Sequence, residues 1–397
     1  MLPLGLLSAA AAFGHSGPHD FTPFEDHVLP AWLARFTVDF NAGSFSYDPQ
    51  PGAAPELYGS VDVIHVLASV GALDAHLTEA MRDAWKAQID AHQTLAGGFY
   101  SYLSKNSRYH AAGEATASLA LLRRQPLHNN SAYEAFASPP NGPAQWQKWY
   151  DELYFNNGTD AFPNKTGCGT SIHGCGQVIG SIPATLAYTT GGAHSTFIKW
   201  WSSWLASRTN ATTGTLLPLF SKPQDFLDSL GGGMATHGIQ LGIAQDAALY
   251  PFELARPRAL FDFALGLQNK SSGVWLEPKE YEPPPQGKGE QYPATSRDAP
   301  LGSISLDGIF QVVRSMEQLV RHDASLNASL FPAAESACDL LLATSAEQLK
   351  DKSHTLRKYG GNSHGLANVI ATVGECARAF PHLVTTRRKW SCCARYV

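Results

Sequence analysis

The sequence of 397 residues predicts an all-α protein built from six helical hairpins, and three observations carry that expectation. Short apolar helical runs recur at nearly constant spacing, charged amphipathic helices fill the intervals between them, and glycine turns followed by a large apolar residue close several of the charged helices. The recurring runs start at Tyr58 (YGSVDVIHVLASVG), His110 (HAAGEATASLALL), His173 (HGCGQVIGSIPA), His237 (HGIQLGIAQDAAL), Ser303 (SISLDGIFQVVRSM) and His364 (HGLANVIATVGECA). Their starts lie 52, 63, 64, 66 and 61 residues apart, which is room for two helices and two loops per repeat.

Each element has its own local reason. The six recurring runs are rich in Ala, Gly, Ser and Val and nearly free of charge, so they are expected to be buried on most sides and to pack closely around an axis. Leu73 to His92 keeps apolar residues on one face and Asp, Glu, Arg and Lys on the other, the pattern of a helix with a solvated side. Similar outer helices are expected near Phe24 to Phe36, Ala144 to Tyr154, Ser195 to Ser207, Glu253 to Gln268 and Pro332 to Leu349. Trp200, Trp201 and Trp204 fall on one of these and read as packing residues. The closing turns are Gly43-Ser-Phe45, Gly97-Gly-Phe99, Gly214-Thr-Leu216 and Gly273-Val-Trp275, where glycine supplies the left-handed residue that ends a helix and the bulky residue covers the end.

Composition narrows the function classes. Hydrophobic types at 44% and charged types at 16% describe a packed globular chain. A formal charge of -5 leaves no basic field for a phosphate backbone, so nucleic acid is excluded as an expected partner. No stretch approaches about 18 uninterrupted apolar residues, so no membrane span is expected. Residues 1–13 (MLPLGLLSAAAAF) resemble the apolar region of a secretory signal peptide, which assigns residues 1–16 to a leader and 17–397 to one domain. Six N-x-[ST] sequons, at Asn129, Asn157, Asn164, Asn210, Asn269 and Asn327, agree with a glycoprotein of the secretory lumen or exterior. Cys168, Cys175, Cys338, Cys376, Cys392 and Cys393 allow up to three disulfides of open connectivity. Cys168 and Cys175 read as a local disulfide rather than, with His173, as a zinc site, because C-x6-C is not a standard zinc spacing.

From about Phe24 to about His382 the pattern resembles the (α/α)6 toroids shared by terpenoid cyclases, protein prenyltransferases, many polysaccharide lyases and several glycosidase families. The six run starts carry the resemblance, together with two turns, Gln93-x3-Gly97-Gly98-Phe99 and Gln268-x4-Gly273-Val274-Trp275, that look like the QW turns of squalene-type cyclases. The resemblance implies that the inner helix starts converge on one mouth of a central cavity. It singles out no one family, and the D-x-D-D acid motif of the cyclases is absent.

Aligning the six starts places a second polar set four residues on: Asp62, Glu114, Gln177, Asp307 and Asn368, with Leu241 breaking the series. Positions i and i+4 share a helix face, so Tyr58, His110, His173, His237 and His364 are expected to stand over that set and form an ionisable funnel. Buried carboxylates beside imidazoles supply proton donors and acceptors near neutral pH. The expected function is therefore that of a carbohydrate-active enzyme, a glycan hydrolase or a polysaccharide lyase. Asp62, Glu114, Asp307, His173 and His237 are assigned to catalysis, and Tyr58, His110, Gln177, His364 and Asn368 to substrate binding. In a lyase, Tyr58, His173, His237 or His364 takes the proton and Arg108 or Arg297 neutralises the substrate acid.

The alternatives are a terpenoid-cyclase-like enzyme acting on an isoprenoid, which needs an aromatic cavity, and a secreted small-ligand-binding protein. In the binding protein each carboxylate would be satisfied by fixed hydrogen bonds. Capping and packing also explain individual His, Asp and Asn residues at helix starts. Asp307 is expected to pair with Arg314 or another base. The preferred reading requires no cofactor and assigns no metal ligand, although four His on one level suit a divalent metal. Glu277 to Gly302, with six prolines, reads as a long loop that walls the mouth through Tyr281, Tyr292 and Arg297, and Pro126 to Pro143 reads as an exposed loop.

Overall fold

The structure, a computed structural model, describes residues 17–95, 97–101, 108–129, 131–138, 140, 142–155, 182–183, 185–186, 195–214, 254–275 and 301–391. The described chain is mostly helical. In order, β1 (His19–Asp20) leads into a π-helical turn (Phe24–Val28), then α1 (Leu29–Phe36), β2 (Thr37–Asp39), β3 (Ser44–Phe45), α2 (Leu57–Ser69), α3 (Leu73–His76) and α4 (Glu79–Asp90). There follow α5 (Arg108–Leu121), α6 (Ser131–Ala137), α7 (Pro143–Phe155), α8 (Ser195–Ser207) and α9 (Pro257–Leu267). The last part holds α10 (Ser303–His322), α11 (Asn327–Leu349), α12 (Lys352–Tyr359), α13 (His364–Ala379) and β4 (Val384–Thr385).

Four of the recurring apolar runs become α2, α5, α10 and α13. They pack as consecutive neighbours, α5 on α2, α2 on α13 and α13 on α10, so the last run lies directly against the first. Their apolar sequences explain the burial: in α2, Leu57, Val61, Val63, Val66 and Leu67 are all fully buried. The charged helices lie against them, α4 on α2 and α5, α9 on α10, and α11 on α10 and α13. The two ends of the described chain are tied together by a parallel pairing of His19 with Val384 and Asp20 with Thr385. Beneath that pairing Trp390 packs on Phe21 and Phe24, with ring centroids 5.3 and 5.5 Å away.

The glycine turns are left-handed as expected, with φ of 69° at Gly43, 86° at Gly97, 71° at Gly214 and 74° at Gly273. At Gly273 a side chain is excluded by space as well as by conformation, because a Cβ there would sit 2.4 Å from the Leu340 carbonyl carbon of α11. The two turns that resemble QW turns also share a hydrogen-bond scheme. Gln93 Nε2 donates to the carbonyls of Gly97 (2.9 Å) and His128 (2.8 Å), and Gln268 Nε2 donates to those of Gly273 and Ala337 (both 2.8 Å). Each glutamine thus closes its own turn and pins it to a later segment of the chain. The turns are plugged by Phe99 and Trp275, 2% and 1% exposed. Trp200 and Trp204 pack in an aromatic cluster with Trp146, Tyr150 and Phe197, and Trp201 is buried in the same core, so all three are packing residues as expected.

Several expectations are corrected. Leu73 to His92 is not one helix: it breaks at Leu77, and Thr78 caps α4 by accepting the Met81 N–H. The expected outer helix from Glu253 begins only at Pro257, whose fixed φ suits a first helical turn. Pro126 to Pro143 contains α6, which buries Tyr133 and Ala137. The inner helices are not free of charge along their whole length, since α10 and α13 carry Arg314, Glu317, Glu375 and Arg378 in their second halves. Cys338 and Cys376 are free thiols. Of the sequons, Asn129 and Asn327 are exposed and Asn210 and Asn269 half-buried, while Asn157 and Asn164 lie outside the described residues. Also outside them are Cys168, Cys175, Cys392, Cys393, the stretch 277–300 with Tyr281, Tyr292 and Arg297, and residues 1–16, expected as a leader.

Candidate functional site

The site begins with the way α2 starts. Glu56 caps the helix, its Oε2 accepting the Tyr58 N–H at 2.6 Å while Oε1 accepts the Ser101 hydroxyl. Glu56 is 1% exposed, and burial raises its pKa above the ordinary value against those two hydrogen bonds, with the Asp62 charge adding to the rise. From that fixed start, Tyr58, Asp62 and His65 follow at i, i+4 and i+7 and share a helix face.

The start of α13 meets this face. The Ser363 N–H donates to the Tyr47 carbonyl at 3.0 Å, and Asn362 Oδ1 accepts the Gly365 N–H at 2.9 Å, which fixes the first turn. Two consecutive residues then take the two oxygens of one carboxylate. Ser363 Oγ donates to Asp62 Oδ2 at 2.5 Å, and His364 Nδ1 lies 2.8 Å from Asp62 Oδ1. The Tyr58 ring meets the His364 ring edge-on, 6.0 Å between centroids.

Three residues after Asp62 on the same face, His65 links α2 to α5. Its Nδ1 is 3.4 Å from Glu114 Oε2, and its Nε2 is 3.2 Å from the hydroxyl of Ser118, one turn beyond Glu114. Asp62 with His364, and His65 with Glu114, therefore make two carboxylate–imidazole pairs along one face of α2.

Exposure separates the partners. The Asp62 side chain is 3% exposed and that of His364 36%, while His65 is 22% and Glu114 13% exposed. His364 is thus the open end of its pair. Its surroundings withdraw water, which lowers its pKa, but the charge and hydrogen bond of Asp62 and the charge of Glu114 prevail and raise it from 6.5 to about 9. That rise favours the imidazolium at neutral pH, with Nδ1 held by Asp62, and among the described residues Nε2 has no hydrogen-bond partner.

Asp307 lies on α10, 1% exposed, and burial raises its carboxyl pKa well above the ordinary value. Arg314 does not turn to it as expected. Its guanidinium is 3.0 Å from the fully buried Glu375 and 3.3 Å from Glu317, and Arg378 joins the same two acids at 2.9 and 2.7 Å. Asn368 is half-buried one turn beyond His364.

Of the ten sequence-predicted residues, the structure brings together Tyr58, Asp62, Glu114 and His364. It pairs His364 with Asp62 of the neighbouring helix, not with Asn368 of its own. The side chain of His110 and the whole of His173, Gln177 and His237 lie outside the described residues, as does the side chain of Arg108. The sequence reading missed Glu56, His65 and Ser363. His65 carried a signal, being an ionisable residue one turn after Asp62 in an apolar run, whereas Ser363 gave none beyond its place before a helix start.

Among the described residues no group of three His, Cys, Asp or Glu side chains is placed to hold a metal ion. Among the same residues no helix is long and apolar enough to cross a membrane. No family model, curated protein or solved structure matches the chain.

Proposed function

We propose that this protein is a secreted glycan-active enzyme with an (α/α)6 toroid fold, acting by acid–base chemistry at the Asp62, His364, His65 and Glu114 cluster, and that elimination at an acidic sugar fits it better than hydrolysis. One observation carries the preference. Both oxygens of Asp62 are engaged by Ser363 and His364, so this carboxylate orients and charges the imidazole instead of exchanging a proton with substrate. Hydrolysis by paired carboxylates needs two acids open to the scissile bond. An open imidazolium suits a substrate carboxylate, whose charge it offsets while the neighbouring Tyr58, as phenolate, takes the proton of the adjacent carbon and returns it to the leaving glycosidic oxygen as that C–O bond breaks.

The toroid part of the proposal rests on the four inner helices packed as successive neighbours, with α13 against α2, and on the matching Gln93 and Gln268 turns. The secretory part rests on the leader-like residues 1–13 and the sequons. The ionisable character of this wall favours a polar substrate over an isoprenoid.

The test is turnover of a panel of neutral and uronate-bearing polysaccharides and oligosaccharides by the purified protein, with and without chelator. New reducing ends and the absorbance of unsaturated uronates are followed together. Both signals rising on acidic glycans is the expected result. Reducing ends alone would shift the chemistry to hydrolysis and the weight to Glu114 and Asp307, and silence across the panel would overturn the glycan reading.

A further inference from the structure

Hydroxyls inside helices commonly donate to the carbonyl four residues back. In this chain Ser203, Ser345 and Thr372 do so, at 3.1, 2.8 and 2.7 Å. Ser118 of α5 does not. Its hydroxyl, on a fully buried residue, lies 3.2 Å from His65 Nε2 of α2, and among the described residues it has no other partner.

That contact decides where the proton of His65 sits. A buried hydroxyl carries one hydrogen, and leaving it undonated away from water is costly. Among the described residues the acceptor for Ser118 is Nε2, which accepts only while it carries no proton of its own. The other ring nitrogen then holds the hydrogen of the neutral imidazole. Nδ1 is turned to Glu114, 3.4 Å from Oε2, and a carboxylate can only accept. A second proton on Nε2 would strand the Ser118 hydrogen, so the serine opposes the doubly protonated ring that the carboxylate by itself would favour.

The two pairs along α2 are thus built in opposite senses. In the first, both oxygens of Asp62 are taken by Ser363 and His364, and the imidazole is the end that meets a ligand. In the second, the two nitrogens of His65 face Glu114 and Ser118, and the ring has no polar atom left for a ligand. What this pair adds to the site it adds through Glu114, whose charge helps to keep His364 protonated.

We propose that Ser118 and His65 are positioning residues: Ser118 holds His65 as the neutral Nδ1–H tautomer, which orients the Glu114 carboxylate and leaves its charge uncancelled by the ring to act on His364. Neither of them touches substrate. An imidazolium at position 65 would offset the Glu114 charge, whereas a neutral N–H steers the carboxylate without offsetting it. Ser118 therefore reaches substrate binding through His65, Glu114 and His364 in succession. For its effect on turnover the proposal rests on the catalytic reading given above, and for the proton on His65 it rests on the hydrogen-bond geometry.

Histidine-selective 15N labelling of the full chain reads the tautomer directly by NMR, with the His65 signals identified by their loss in His65→Gln. The expected result at pH 7 is a protonated Nδ1 and a bare Nε2. A proton on Nε2, whether alone or together with one on Nδ1, overturns the proposal. Ser118→Ala should let His65 take a second proton, and the His364 titration midpoint should then fall below about 9. Ser118→Thr keeps the hydroxyl and should restore both signals. An unmoved His364 midpoint in Ser118→Ala would reduce Ser118 to packing and overturn its role through Glu114. On a responsive acidic glycan Ser118→Ala should lower kcat/KM by about tenfold, mainly through a higher KM, which is the effect of about one hydrogen bond. The expected tautomer with silence across the glycan panel would sink the glycan reading and leave the positioning of Glu114 standing, and turnover with the other tautomer would do the reverse.

Discussion

Asp62 on α2 holds His364 on α13 through a 2.8 Å contact between Oδ1 and Nδ1, joining residues 302 positions apart across the contact between the first and last of the recurring helices. One contact thus serves both fold and chemistry. It links the two helices, and it keeps an imidazole charged at the open edge of the site.

That contact makes stability depend on pH in a defined direction. The pKa of folded His364, about 9, lies above the ordinary 6.5, so the folded state binds the proton more tightly. The resulting stabilisation is fully present below about pH 6.5 and is lost as pH rises through about 9. In Asp62→Asn this slope should disappear, and NMR titration should show the His364 pKa below 6.5, because burial then acts unopposed by its main partner. A pKa unchanged by the substitution would remove Asp62 from its assigned role. Turnover on a responsive glycan should fall by at least about 100-fold.

Glu114 acts on His364 by charge alone and contacts His65 directly. Glu114→Gln should therefore lower the His364 pKa by less than Asp62→Asn does. It should also move the pH profile of turnover to lower pH while the protein stays folded, as read by near-ultraviolet circular dichroism.

Glu375 is the fully buried acid between Arg314 and Arg378. Burial raises its pKa, yet the charges of the two arginines prevail and lower it below 4.5. It therefore stabilises the fold above about pH 4.5, and that contribution is lost as pH falls through the lowered folded value. Glu375→Ala leaves two guanidinium groups without their buried partner and should cost about 3–5 kcal/mol in denaturant unfolding.

Asp307 behaves in the opposite sense. Its raised pKa makes its carboxylate costly in the folded state near neutral pH, so Asp307→Asn should raise the melting temperature at pH 7, a gain that shrinks as pH falls towards 4. If turnover is unaffected, Asp307 drops out of the catalytic set.

The glutamine turns offer a structural test. Gln268→Ala removes two buried 2.8 Å hydrogen bonds, one closing the turn at Gly273 and one tying it to Ala337 of α11, and should cost about 1–3 kcal/mol. Gly273→Ala should cost about as much again or more, since it forces a Cβ against the Leu340 carbonyl at positive φ. Urea midpoints of both variants check the order.

Much of this protein was legible from local pattern alone, because helix period, apolar stripe and glycine turn are properties of neighbouring residues. That is why α2, α5, α10, α13 and the left-handed glycines appear where the repeats put them, and why Tyr58, Asp62, Glu114 and His364 could be named together. Which of them meet depends on how one helix rotates against another, and side-chain packing fixes that rotation over hundreds of residues. Spacing put His364 and Asn368 on one helix face, and only tertiary structure showed that His364 reaches Asp62 of another helix. The same packing brought in His65 and Ser363 and sent Arg314 to Glu375. A sequence repeat states which face of each helix is buried, but only the assembled helices decide which charge lies within a few ångströms of which, and the chemistry follows from those distances.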